Sequence, residues 1–132
     1  STFTETQILT VASILEREVP RHSDMKIVAG IIYNRLKVNM PLQMDSTLGY
    51  VKGKASLELT TEDLKSDSPY NTYANKGLPP TPIGNPGEDA IRAALEPEVH
   101  QYIFFLSDKE GDNHYAKTYA EHLKNRKLYL GK

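Results

Sequence analysis

The chain has 132 residues, 39% of them hydrophobic, which suits one globular domain with a modest core and argues against a second. Sixteen Lys and Arg against seventeen Asp and Glu give a net charge of −1, which disfavours a polyanion-binding surface and therefore a nucleic-acid partner. Cysteine is absent, excluding disulfides, zinc–thiolate sites and thiol nucleophiles. No apolar run reaches membrane-spanning length, and "STFTETQ" lacks the basic start and apolar stretch of a signal peptide, so the chain reads as soluble, with no membrane contact of its own.

The elements in chain order predict an α+β fold: helices at both ends, an irregular Gly/Pro-rich middle and a small antiparallel β-hairpin. Thr4 followed by Gln7 has the pattern of a capping box, and Ile8, Val11, Ala12 and Leu15 then recur at helical spacing until Pro20. A first helix is expected over about 5–19. Ser23 or Asp24 can cap a second, over about 24–38, with Ile27, Val28, Ile31, Ile32 and Leu36 on one face and Asn39 as a left-handed end. From Met40 to Pro86 the chain turns rich in Gly, Pro, Asn, Asp, Ser and Thr, with short helical stretches near Thr47 to Val51 and Thr60 to Lys65. A stretch so long and irregular is usually functional or disordered. Asn85 as N-cap, Pro86 as first helical residue and Glu88 in the first turn predict a third helix that runs to Leu95 and stops before Pro97. "YIFFL" (102–106) and "HYAKT" (114–118) flank the polar "SDKEGDN" as the strands of the hairpin, and Thr118 with Glu121 boxes the start of a final helix.

One residue of the first helix is out of pattern. At about 100° per residue, Glu18 projects beside Val11 and between Ile14 and Leu15, inside the apolar stripe, whereas Glu16 falls at its border and Arg17 faces away. Desolvation and the negative end of the helix dipole near Pro20 both disfavour its ionised form and should raise its pKa. An acid kept protonated near neutral pH is what glycosidic cleavage needs, because the leaving oxygen must receive a proton as the bond breaks. A glutamate that snorkels to solvent, or pairs with an arginine, fits the same pattern.

"ASILEREV" (12–19) resembles the Ala-Ser-Ile-x-Glu-x-Glu segment of the MltG/YceG-type endolytic murein transglycosylases. "NRLKVNMPLQMDSTLGY" (34–50), "DSPYNTYANKGLPPTPIGNPG" (67–87), "AALEP" (93–97) and "EHLKNRKLYL" (121–130) resemble further blocks of that family in the family's order, over nearly the whole chain. After Glu18 the sequence departs from the family pattern, with Val19 and Pro20 where a small or polar residue and a longer loop are expected. The resemblance implies that the second glutamate of the first block, Glu18, is the catalytic general acid and base. The implied reaction is non-hydrolytic cleavage between N-acetylmuramic acid and N-acetylglucosamine, leaving a 1,6-anhydromuramic end. One carboxylate serves both steps: it protonates the glycosidic oxygen and then helps the muramyl 6-hydroxyl close onto C1.

A hydrolase would need a second carboxylate, and Asp45 is the best candidate for that muramidase-type alternative. Its alternation with Gln43 puts both side chains on one face if "PLQMDS" is extended; equally, Asp45 can cap the turn at Ser46 and Thr47. Tyr70, Asn71, Thr72 and Tyr73 offer aromatic faces and hydrogen-bonding groups suited to a sugar ring and its N-acetyl group, although a turn with core tyrosines explains the same letters. His114, Glu121 and His122 lack the spacing of a helical zinc motif, and no metal is expected.

Two other classes compete. A non-catalytic peptidoglycan-binding module would grip glycan without needing a buried acid. A pyridoxal-phosphate lyase, suggested by an aminodeoxychorismate lyase label that family members have carried, would need a phosphate cradle and a partner for the pyridine nitrogen, and neither is recognisable, so no cofactor is expected. The resemblance further implies that residues 1–132 are the single catalytic domain of a longer parent. That parent would be membrane-anchored, with its active domain on the extracytoplasmic face of the bacterial cytoplasmic membrane, where it acts on peptidoglycan glycan strands beside cell-wall synthases.

Overall fold

The computed structural model describes residues 3–132. It is α+β, with five α-helices and one two-stranded antiparallel sheet: α1 (Glu5–Glu18), α2 (Met25–Lys37), α3 (Asp45–Lys52), α4 (Glu88–Leu95), β1 (Phe104–Ser107), β2 (Asn113–Ala116) and α5 (Tyr119–Leu130). Short 3-10 turns at His22–Asp24, Ser56–Glu58 and Asp63–Lys65 punctuate the connections.

The capping boxes read from sequence are formed at both ends. Thr4 accepts from the Gln7 N–H while the Gln7 side chain returns to the Thr4 N–H, and Thr118 and Glu121 do the same for α5. Asn39, at φ 60°, ends the second helical segment in the left-handed region, as its short polar side chain allows. Two starts differ from expectation. Asp24 makes no side-chain cap for α2, because a 3-10 turn already feeds the chain into that helix. The N-cap of α4 is Gly87 and not Asn85; the Gly87 N–H is taken by the carboxylate of Glu16 on α1, so the helix begins where α1 can hold it.

The core lies where α1 packs on α4 and α2. Val11, Ala12, Ile14 and Leu15 of α1 meet Met25, Val28, Ala29 and Ile32 of α2 and Ala90, Ala93 and Ala94 of α4, with Leu42, Met44 and Ile83 closing in from the middle segment. Burying a side chain such as Leu15 or Ile14 contributes about 2 kcal/mol. The three alanines let α4 approach α1 closely. Gly30 serves the same end on α2, since a Cβ there would lie 2.4 Å from Glu98 O and 2.5 Å from His100 Nε2. The hairpin pairs Phe104 with Ala116 through Ser107 with Asn113 and carries α5 across it.

Candidate active site

Three polar side chains of α1 each capture a backbone N–H from a different segment. Ser13 Oγ donates to Thr10 O (2.7 Å) and accepts from the Ile83 N–H (2.9 Å). Glu16 Oε1 accepts from the Gly87 N–H (2.7 Å), and Glu18 Oε2 from the Ser46 N–H (3.0 Å). The two glutamates of "LERE" therefore act on different elements, Glu16 fixing the start of α4 and Glu18 meeting the first turn of α3. At Glu18 the negative end of α1 faces the positive end of α3, a compensation that helix periodicity could not reveal.

Glu18 is half-buried, and its Oε1 makes no hydrogen bond with any described residue. It stands between two cavities of about 280 and 300 Å³, both of which have Glu18 and Asp45 in their walls. The first is completed by Arg35, Leu42, Gln43, Met44 and Tyr73 on one side of the sequence, and by Phe104, Phe105, Tyr119, His122 and Arg126 on the other. The second is completed by Arg17, Ser46, Gly49, Lys54, Ala55 and Ser56. A larger, mainly apolar cavity of about 540 Å³, lined by residues such as Ile8, Tyr33, Ile91 and Leu95, contains none of this polar chemistry.

Asp45 is the first residue of α3, so "PLQMDS" is not one extended strand. Gln43 sits at φ 53° and the chain bends there, Leu42 and Met44 turning into the core while Gln43 stays exposed on the cavity. A left-handed non-glycine residue costs of order 1 kcal/mol and persists only where its surroundings hold it. Thr72 supplies the hold: its carbonyl accepts from the Gln43 N–H (3.2 Å), and its hydroxyl accepts from the Met44 N–H (2.9 Å) and contacts the Thr47 hydroxyl (2.9 Å). Asp45 does not cap the turn at Ser46 and Thr47. Its two oxygens accept from the Tyr73 and Ser56 hydroxyls, while the Thr47 hydroxyl donates to Met44 O (2.8 Å).

Of the four residues 70–73, the structure brings Tyr73 to the first cavity. Burial pushes the Tyr73 hydroxyl well above its ordinary range, reinforced by its hydrogen bond to Asp45 and by the charges of Asp45 and Glu18, so it is a donor and not a base. Tyr70 packs against Tyr50 and bonds Thr81 through its hydroxyl (2.7 Å). Asn71 is fully buried, donating to Leu64 O (3.0 Å) and Ser66 O (2.8 Å) and accepting from the Tyr73 N–H (3.0 Å); Thr72 is buried in the bend just described. These three shape the scaffold behind the cavity.

Sequence reading missed the wall made by Arg35, Phe104, Phe105, Tyr119, His122 and Arg126. Part of a signal was present, since Tyr119, His122 and Arg126 recur at i, i+3 and i+7 and so share a face of α5. Phe104 stacks on His122 (ring centroids 5.0 Å) and tilts against Tyr119 (5.8 Å), giving an aromatic shelf of the type that sugar faces use. Burial, then the neighbouring Arg126 and Arg35, lowers the pKa of His122, and burial lowers that of Arg35 without threatening its charge.

Fold and site thus define a small α+β domain with one uncommitted carboxylate oxygen between two polar recesses. The chain matches the model of the YceG-like family over residues 1–128 and belongs to that family. It is 43% identical over 124 residues to a Bacillus subtilis (strain 168) protein named endolytic murein transglycosylase, covering 94% of this chain and 34% of that protein. It is 36% identical over 128 residues to a protein of the same name from Streptococcus pneumoniae serotype 2 (strain D39), covering 92% of this chain and 23% of that one. A crystal structure of a YceG-like protein from Listeria monocytogenes superposes with a TM-score of 0.85 at 45% identity, over 90% of this chain and 39% of that one. The chain therefore spans about a third or less of the length of these curated relatives.

Proposed function

We propose that this chain is the catalytic domain of an endolytic lytic transglycosylase, with Glu18 as its single general acid and base. The observation that carries the reading is the state of the two carboxylates at the junction of the cavities. Glu18 keeps one oxygen anchored on the Ser46 N–H and the other uncommitted, whereas both oxygens of Asp45 are engaged by Tyr73 and Ser56. The two hydroxyl donors stabilise the Asp45 carboxylate and hold it in place, which weakens it as a nucleophile or water-activating base and disfavours the hydrolase that uses it. Recesses on both sides of Glu18 also suit a strand entering and leaving the site, as cleavage inside a glycan requires.

In the proposed reaction, Glu18 gives its proton to the glycosidic oxygen as the bond from muramyl C1 breaks, and the glucosaminyl residue leaves as an alcohol. The 6-hydroxyl of the same muramyl residue then bonds to C1 and returns its proton to the Glu18 carboxylate. The product carries a 1,6-anhydro end, no water is consumed, and the enzyme is regenerated. Tyr73 and Ser56 hold Asp45 as a fixed negative neighbour that orients the site. The names of the relatives in Bacillus subtilis and Streptococcus pneumoniae support murein as substrate. The reading extends to a parent anchored at the cytoplasmic membrane with this domain on the outer side, near the glycan-synthesising enzymes. No helix among the described residues is long and apolar enough to cross a membrane itself.

The test is Glu18→Gln. The amide keeps the shape and removes the transferable proton, so stability should change by no more than about 1 kcal/mol. Release of anhydromuropeptides from purified murein, followed by mass spectrometry, should fall by on the order of a hundredfold to ten-thousandfold. A variant that melts normally, binds glycan and still releases anhydro ends at the parent rate would remove Glu18 from the role.

A further inference from the structure

The cationic side of the Glu18 cavity has no acid to answer it. Its cations are Arg35 and Arg126, neither of which forms an ion pair among the described residues, and His122, whose charged form burial and these arginines disfavour, lies beside them. Arg35 is 7% exposed and spends Nε on Ile103 O (2.8 Å) and Nη1 on Pro41 O and Leu42 O (3.0 Å each), leaving Nη2 without an acceptor among the described residues. The Arg126 side chain makes no hydrogen bond at all with the described residues, although it is only partly exposed. His122 Nδ1 is buried without a partner among the described residues, its ring held flat on Phe104. Of the other arginines, Arg21 pairs with Asp112 and Arg92 with Glu88, while Arg17, which makes no ion pair among the described residues, is exposed to solvent.

The acids that share the recess do not fill this gap. Asp45 is bonded by Tyr73 and Ser56, and Glu18 reaches back to Ser46. A partly desolvated guanidinium with no acceptor is costly, and its planar fork matches a carboxylate through two parallel N–H···O bonds. A carboxylate brought by the substrate would complete this wall.

We propose that Arg126, backed by Arg35 and His122, is a carboxylate-recognition subsite that selects murein strands carrying a free carboxylate beside the bond to be cut. The inference rests on the transglycosylase reading of this pocket and adds what the pocket selects. Two substrate groups have the required chemistry: the lactyl carboxylate of a muramyl residue stripped of its peptide, and the free carboxylates of the peptide stem.

The experiment measures equilibrium binding of three murein oligosaccharides to the Glu18→Gln chain, which should hold them without turnover: stems with free carboxylates, stems fully amidated, and strands without stems. The amidated strand is the neutral reference. At least one carboxylate-bearing strand should bind about tenfold tighter than it, the usual value of one charge-assisted contact. Adding Arg126→Gln should bring that ratio to about one, and Arg126→Lys, which keeps the charge and loses the fork, should leave it in between. Arg92→Gln, on α4 and outside the recess, should leave it unchanged. A gain seen with stem-free strands assigns the lactyl group; a gain that amidation abolishes assigns the stem. Equal binding of all three strands, or a ratio that survives Arg126→Gln in a chain that melts normally, overturns the subsite. Cleavage by the parent chain is read separately: anhydro products without carboxylate preference would sink the subsite alone, whereas preference without anhydro products would sink the transglycosylase reading alone.

Discussion

The wall of the Glu18 recess that carries the carboxylates is held by hydrogen bonds between groups far apart in sequence: Ser46 to Glu18, Tyr73 and Ser56 to Asp45, Thr72 to Met44 and Thr47. The wall made by the hairpin and α5 is held otherwise. No residue of α5 is fully buried; the helix rests on its caps, on Asn125 reaching Tyr115 O (3.4 Å), and on ring contacts of Phe104 with Tyr119 and His122 and of His114 with Tyr129. Proton transfer needs groups fixed before the substrate arrives, while a binding wall gains from adjusting to its ligand. On the proposed reading, chemistry belongs to the bonded wall and selection to the stacked one.

Native-state hydrogen exchange puts this contrast at greatest risk. Amides of α1 should exchange at least about a hundredfold more slowly than those of α5, because opening α5 exposes little apolar surface. Equal protection of the two helices would refute the contrast. Next in size is Thr72→Val, which leaves the buried Met44 N–H without its acceptor. A loss of about 2 kcal/mol, or roughly 7 °C in Tm, is expected, with the bend at Gln43 relaxing. An unchanged melt would show that the bonded wall does not depend on this network.

Asp45→Asn should follow with about a tenfold fall in kcat, well short of the Glu18→Gln loss, because the change perturbs orientation and not the transferred proton. A glycosyl ester trapped on Asp45 would reverse that ranking.

The smallest effect concerns Asp63, beside the second cavity. Its hydrogen bond from the Lys54 ammonium (2.7 Å), then that from the Thr60 N–H (2.9 Å), hold its carboxyl down at about 2. The unfolded chain takes up this proton first as pH falls, so the contribution is complete above about pH 4 and is lost between there and about pH 2. Asp63→Asn should flatten that part of a Tm-against-pH curve, and a curve that stays parallel to the parent's would exclude the linkage.

The features legible along the chain are those that a few neighbouring residues decide among themselves. The boxes at Thr4 and Thr118, the stop before Pro20, the left-handed Asn39 and the hairpin around "SDKEGDN" depend on contacts within about four residues, or on the φ preference of one. The position of Glu18 on the apolar stripe was legible for the same reason, since helical periodicity is local. Which way the middle segment faces, and what meets Glu18, came from packing alone. Nothing in "SPYNTY" distinguishes Tyr73 on the cavity from Asn71 in the core, because both satisfy the same turn chemistry and only the packing of α3 against 64–72 separates them. The capping of α3 by Glu18 and of the α4 start by Glu16 joins residues 28 and 71 apart in sequence. Arg35 and Arg126 face one recess only because the hairpin folds α5 back toward α2. Such pairings follow from how whole elements pack, and no window of sequence short enough to read by period contains both partners.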